Sequence, residues 1–554
     1  MKKRIRIIAL VCMLATLISS TACAVSADQW RELGDAFDPN IASVVDFDNL
    51  PTPALPLVDE TVTMTVLYPR QSQHGDFSKM WWRQALTEAT GINLEFTTVE
   101  EVGWAEKMGL AFASDDLPDL FLRSLTFAYA AKYGMAGQLI PLEDLIAQYA
   151  PNAQKLLDEL PDAKKSVTAP DGHIYMLPTF SSVGRSKVAR SSFLNSAWVT
   201  EMPSTLDELY NCFVEIKNGD GNGNGVADEI PLSFVYDNDM WSTALTPIRT
   251  AFGFVSGRHD VIDGQYTYVP AAENYREYLR FLKKLWDEDL MDHDVFTQTQ
   301  EQYMAKLSAY RVGLASDEMK SYLTDTDLVH NYVCVGPVTS EWNQKKMWPA
   351  MDCIDLTSGC FAITSACEDP VTAIKLADYF YSLEGSMMTK CGPQKGNWDG
   401  EGGWSVTTDE NGKNHYTVEF DKSKYTGYWN FRCANGPCIL LNFYSSEVAN
   451  CVVGADPEAT LVSWQYFERG CYDNRRLGYP TGVAFTEDEQ EELAIEVMIN
   501  SYADRMTAEF INGTSNIDDD AAWQKYIDTL NSMGLDTVSE VRQMAYDRWN
   551  NAGK

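Results

Sequence analysis

The chain has 554 residues, of which 45% are hydrophobic, 12% aromatic and 22% charged. That is a folded composition, and it is too long for one hydrophobic core, so two or more lobes are expected. A net charge of −35 excludes long-range attraction to nucleic acid or anionic membranes, although a local pocket can differ from the global field.

The chain opens on "MKKRIRIIALVCMLATLISSTACAVSA", Met1 to Ala27. Lys2, Lys3, Arg4 and Arg6 precede an apolar run from Ile7 to Ile18, then small residues: the pattern of a secretory signal, too short to span a bilayer. "SSTAC" resembles a bacterial lipobox ending at Cys23, with Ser20 where leucine is usual, and a lipid tether on Cys23 is the expected outcome. Ordinary cleavage after Ala24 or Ala27 is the alternative. Residues 28–60, rich in Pro, Asp and Ala, read as a spacer.

The folded body begins at "TVTMTVLYP", where Val62, Met64, Val66 and Tyr68 alternate with threonines as in a strand. A helix follows in "SKMWWRQALTEATG", with Ser78 as N-cap and Gly91 past its end. "INLEF" is a second strand, "EVGWAEKMGLAFAS" a helix and "LPDLFL" a short apolar strand. This alternation predicts a largely parallel sheet covered by helices. Further on, "YREYLRFLKKLW" puts Tyr278, Phe281, Leu282, Leu285 and Trp286 on one face. "TEDEQEELAIEVMINSYADRMTAEFING" reads as one helix, opened by a Thr486/Glu489 capping box and closed on Gly513. The last, "DDDAAWQKYIDTLNSMG", turns Trp523, Tyr526, Ile527 and Leu530 inward. There is no internal repeat.

One loop carries a chemical signal: "NGDGNGNGVADEIP", Asn218 to Pro231. Asp220, Asn222 and Asn224 alternate with glycines, and Asp228 and Glu229 follow. Calcium takes six to eight hard oxygens, and glycines let a short backbone curl around it. The opening matches D-x-[DN]-x-[DN]-G, but the twelfth position is Pro231 instead of glutamate, so this is not an EF-hand. The expected ligands of one structural Ca2+ are the side chains of Asp220, Asn222, Asn224, Asp228 and Glu229 with the carbonyl of Val226.

Of the twelve cysteines, ten lie beyond the signal, scattered, with no C-x-x-C pair. Cys433 and Cys438 could close over an Asn-Gly-Pro turn; unbridged buried thiols are the preferred reading. The six histidines, His74, His173, His259, His293, His330 and His415, have no metal spacing. Neither H-E-x-x-H nor G-x-S-x-G occurs, so no enzyme is expected, and paired carboxylates among 79 acidic residues say nothing by themselves.

"ASDDLPDLF", "GQLIPLEDLIAQYAPN", "APDGHIYMLP", "PSTLDELYNCFVEIKNGDGNGNGVADEIPL", "FAITSACEDPVTAIKLADYFYSLEG" and "FINGTSNIDDDAAWQKYIDTLNSMGLD" occur in an order that spans most of the chain. Together they resemble the extracellular solute-binding proteins of ABC importers, in the large oligosaccharide-binding subgroup that includes the alginate-binding proteins. The resemblance implies a type II periplasmic-binding fold: two α/β lobes with a hinge, and ligand in the cleft between them. Approximate boundaries are 61–180 plus 333–385 for one lobe, and 181–332 plus 386–554 for the other with the C-terminal helices. It also implies a monomer that delivers an oligosaccharide to membrane permease subunits, outside the cell, as a lipoprotein or in secreted or periplasmic form. With no G-x-x-x-x-G-K-[ST] in the chain, the ATPase is a separate protein.

Sugars lie flat on aromatic rings. Trp286 and Trp523 sit on amphipathic helices and read as core. Trp398, in "GPQKGNWDGEGGW", matches the family's Gly-x-x-G-x-x-Trp region, whose tryptophan faces ligand; Pro393-Gln394-Lys395 depart from it, which implies a different ligand preference. Trp241 and Trp348 follow expected strands and are further candidates for the cleft wall. Asp119 matches a strand-end position of structural character. The competing readings are a glycan or peptide sensor or adhesin without transport, and a secreted carbohydrate-active enzyme.

Overall fold

The computed structural model describes residues 50–552, apart from 72–73, 182–191, 237–242, 317–322, 324–325, 351–353, 396–402, 411, 413, 422, 426–427, 438–440, 446–447, 449–450, 452–464 and 467. The signal segment, Cys23 and the spacer up to residue 49 lie outside the described residues.

The alternating run after Thr61 forms strand β1 (Val62–Arg70), which buries Met64, Val66 and Tyr68. Strands β2 (Ile92–Glu100) and β3 (Leu120–Arg123) flank it, both parallel, as right-handed strand–helix–strand units require. The first connecting helix, Trp81–Thr90, ends on Gly91 at φ 78°, a left-handed cap that glycine adopts without a Cβ clash. It starts later than Ser78 suggested. The N-cap is Met80, and Ser78 Oγ donates to Asp76 Oδ1 at 2.6 Å, two residues short of that N-cap.

Strand β4 (Leu177–Ser181) ends the first passage through this sheet. The chain then builds a second sheet from β5 (Ser192–Asn195), β6 (Ile230–Leu232), β7 (Val312–Ser316) and β8 (Tyr332–Cys334). It returns to the first sheet with β9 (Ile354–Ile363) and β10 (Phe443–Tyr444). The sheet orders are β10-β4-β9-β3-β1-β2 and β8-β5-β7-β6. β9 runs antiparallel to both β3 and β4, so the first sheet is mixed.

Each sheet has its own core. The first joins Val66, Leu122 and Phe180 to helix residues such as Leu86, Phe112 and Ile374. The second joins Leu194, Leu232 and Leu314 to Phe213, Leu282, Phe510 and Tyr526. Helix Tyr275–Asp287 buries Tyr278, Leu279, Leu282 and Leu285, with Phe281 and Trp286 half-buried at the edges of that face. The Thr486/Glu489 capping box is formed, but the expected single helix is two: Glu487–Leu493 and Glu496–Ile511.

Pairing also groups the chain differently from the boundaries expected above. β8 pairs with β5, so Val333, Val335 and Val338 belong to the second core instead of the first. Met387, Cys391, Trp404, Phe431 and Val448 form a small satellite core on which Trp81 packs, and β10 pairs with β4. Hydrogen-bond partners decide these memberships, and periodicity does not report them. Among the described residues no helix is long and apolar enough to cross a membrane.

Candidate ligand recess and cation loop

The oxygen-rich loop leaves helix Leu206–Asn218, whose N-terminus carries a complete Thr205/Glu208 capping box, and enters β6. Both ends are therefore fixed by the second lobe. Within the loop, Gly225 N–H donates to Asp220 Oδ2 at 2.9 Å, Asn224 N–H to Asn222 Oδ1 at 3.0 Å and Val226 N–H to Asn224 Oδ1 at 2.7 Å. These are side-chain turns that Asp and Asn form with their own backbone. Gly223 and Gly225 take φ of 71° and 84°, which lets the chain coil this tightly. Gly221 lies so close to the Trp198 indole that any Cβ there would collide with the ring.

Asp228 and Glu229 close the loop from below. Asp228 Oδ1 accepts the amide N–H of Asn222 and of Asn224, both at 3.1 Å, and Arg311 Nε lies 2.9 Å from Asp228 Oδ2. Desolvation, which would raise the Asp228 carboxyl, is outweighed by these amides and by Arg311, and the group is held below the usual carboxylate range. Glu229 is buried; its Oε1 accepts Asn222 N–H at 2.9 Å, while Oε2 has no hydrogen-bond partner. The Val226 carbonyl accepts Asp228 N–H at 2.9 Å.

The six residues singled out in the sequence are thus brought into one loop. Among the described residues no group of three or more His, Cys, Asp or Glu side chains is arranged to hold a metal, and this loop's donors are a mixed carboxylate, amide and carbonyl set. An orphaned buried carboxylate oxygen amid hard donors is what an oxygen-seeking cation would complete.

Of the aromatic candidates, Trp398 and Trp241 lie outside the described residues. Trp348 is fully buried in a cluster with Phe193, Tyr332 and Tyr466, and a ligand could reach its ring only if that packing opened. Asp119 Oδ2 accepts both the backbone N–H and the hydroxyl of Thr65 at 2.7 Å, tying β3 to β1. Trp286 stacks on His293 and Trp523 packs beside Tyr526, both against the second core.

A different tryptophan lines a recess. Trp81 and Trp82 open helix Trp81–Thr90. Trp82 is buried, with Nε1 donating to the Met388 carbonyl at 2.9 Å. Trp81 is half-buried, with Nε1 donating to Asn435 Oδ1 at 2.7 Å. Together with Lys390, Gly392, Arg432 and Pro437 they line a narrow, open recess of about 20 Å3, room for little more than a water molecule. Gly392 is left without a Cβ where the Trp81 ring edge approaches, and it stands six residues before Trp398. The sequence places Trp81 on a helix without marking it as a site; the available signal is two adjacent tryptophans, which a helix cannot bury on one face.

The bacterial extracellular solute-binding protein family model matches residues 72–387, more than half of the chain. The fructooligosaccharide ABC transporter substrate-binding protein FusA of Streptococcus pneumoniae is 28% identical over 487 residues, 84% of this chain and 86% of FusA. The structure of FusA in complex with kestose superposes with a TM-score of 0.67 at 25% identity, over 88% of this chain and 99% of that one. A FusA EF-hand mutant in complex with fructo-nystose gives 0.67 at 24%, with the same coverage. A solute-binding protein of Bifidobacterium longum infantis, associated with an ABC transporter and binding HMO, gives 0.70 at 21%, over 89% and 99%. With the two-sheet architecture and a family match through both sheets, the chain belongs to the bacterial extracellular solute-binding proteins.

Proposed function

We propose that this chain is the substrate-binding component of an ABC importer for an oligosaccharide, acting without a catalytic step. The observation that carries this is the likeness to FusA across 84% of the chain, a relative described as binding fructooligosaccharide for an ABC transporter. The Trp81 recess is the part of the surface whose chemistry suits a sugar. It offers a flat apolar ring, an amide at Asn435, and the cationic side chains of Lys390 and Arg432 at its border. The recess is too narrow to take a whole sugar ring, so we read the Trp81 edge as one contact of a longer site.

The two lobes, on this reading, are 50–181 with 354–451, and 192–350 with 465–552, and the ligand lies between them. The Asp220–Glu229 loop holds one Ca2+ that braces the second lobe, through Asp220, Asn222, Asn224, Asp228, Glu229 and the Val226 carbonyl. The cation supplies charge neutralisation and rigidity there, and no chemistry. Export with a lipid on Cys23 would keep the protein at the permease.

The test is isothermal titration of the full mature chain with fructooligosaccharides, host-milk glycans and alginate oligomers. Trp81→Ala should weaken the best ligand by tenfold or more, the order of one lost aromatic–sugar contact. Unchanged affinity in that variant would remove the recess from the site. No binding to any glycan would overturn the oligosaccharide reading.

A further inference from the structure

Two pairs of cysteines far apart in sequence meet inside the protein. Cys334 Sγ and Cys471 Sγ are 3.7 Å apart, and Cys391 Sγ and Cys451 Sγ are 3.6 Å apart. The partners are separated by 137 and 60 residues, so neither meeting is a consequence of local chain geometry. We propose that both pairs are disulfides in the exported protein, closing Cys334 to Cys471 and Cys391 to Cys451.

The surroundings favour bonding. All four cysteines are buried. Cys334 and Cys471 sit among Phe193, Leu307, Val329 and Trp348, and Cys391 and Cys451 among Met387, Trp404, Phe431 and Val448. To reach a bonded S–S distance of about 2.05 Å each sulfur moves by about 0.8 Å, within the reach of a small χ1 rotation.

Around Cys334, Cys471 and Cys391 the backbone is held in place independently of the sulfurs. Cys334 N–H donates to Gln465 Oε1 at 2.7 Å, Arg469 reaches the carbonyls of Val335 and Pro203, and Cys471 N–H donates to the Tyr466 carbonyl at 2.8 Å. On the other pair, Tyr428 donates to the Lys390 carbonyl at 2.6 Å. Burial, then the neighbouring Cys334, pushes the Cys471 thiol well up, so the reaction belongs to folding, before this core closes.

The chemistry is thiol–disulfide exchange with an exogenous disulfide, either a small-molecule disulfide or an exported oxidoreductase. One cysteine thiolate attacks that disulfide and expels one thiolate, leaving a mixed disulfide. The second cysteine thiolate then displaces the other half. Per bond formed, the two cysteines lose two protons and two electrons, and the exogenous disulfide leaves as two thiols. An extracellular location keeps such bonds. The consequence is topological: the Cys334–Cys471 bond would tie the segment returning to the second lobe onto β8, enclosing in its loop both first-sheet strands β9 and β10.

The experiment refolds the full mature chain in a redox buffer of oxidised and reduced glutathione, blocks remaining thiols with N-ethylmaleimide in denaturant, and maps non-reduced peptides by mass spectrometry. Expected are linked peptides joining 334 to 471 and 391 to 451. The oxidised protein should also melt several degrees above the same protein refolded with a phosphine reductant. A Cys391→Ser/Cys451→Ser variant should keep the 334–471 link. N-ethylmaleimide on all four cysteines of the refolded wild type, or links that join them to other cysteines, would overturn the proposal.

Discussion

Replacing Glu229 by Gln should reverse the sign of its effect on stability according to whether calcium is present. The wild-type side chain is buried with one carboxylate oxygen bonded to Asn222 N–H and the other unpartnered. Without a cation that oxygen carries a desolvation cost, on the order of 1–3 kcal/mol for a buried unsatisfied polar group. With calcium at one hundred times its dissociation constant, binding to the folded state contributes ~2.7 kcal/mol. If one lobe unfolds as a unit, that is a midpoint rise of about 5–10 °C. Glu229→Gln keeps the shape and the Oε1 acceptor but removes one of three carboxylates. In chelator it should therefore melt at or above the wild-type temperature, and with millimolar calcium clearly below it. Differential scanning calorimetry of both proteins in EGTA and in calcium reads all four midpoints. A variant that retains the full calcium-dependent rise, or that melts several degrees lower even in chelator, would show that Glu229 is not a ligand of the cation.

A second expectation concerns Asp260, which is fully buried and accepts Arg476 Nη1 at 2.9 Å and Nη2 at 2.7 Å. Arg476→Met removes the counter-charge and leaves that carboxylate only the backbone N–H groups of Val255, Ser256 and Val261; it should cost about 3 kcal/mol in urea unfolding, with part recovered by adding Asp260→Asn. His259 gives a pH dependence. Burial first, then Arg542 and Arg258, holds its imidazole well below the usual value, so the folded protein keeps it neutral while the unfolded chain protonates near pH 6.5. Its contribution is fully present above about pH 6.5 and is lost as pH falls below it. His259→Gln should flatten the fall in melting temperature between about pH 7.5 and 5; an unchanged profile would assign that fall to other groups.

The local chemistry of this chain was legible in its residues. The alternation in Val62–Arg70, the Thr486/Glu489 box, the glycine after Thr90 and the inward face of Tyr275–Asp287 depend on neighbours within a turn or two, and each formed as read. The gathering of six oxygen donors in one loop was equally local, because glycines and Asx side chains fold that segment on itself. Local signals also misled where they were weakest. Ser78 stood near a helix start without capping it, and a continuous helical pattern concealed a break between Leu493 and Glu496.

What sequence alone determined, then, was the presence of strands, helices, caps and an oxygen-rich loop, with the family's ordered phrases supplying the fold class. Tertiary structure decided which segments share a sheet, since β8 could pair with β5 or follow β9 with no change in its own pattern. It decided that Trp81 borders a recess while Trp348 is sealed in a core, though both follow a Lys-Met pair in the sequence. It also brought Cys334 to Cys471 across 137 residues. Such contacts are fixed by the packing of whole elements, where hydrophobic burial sums over many residues and no short window of sequence contains both partners.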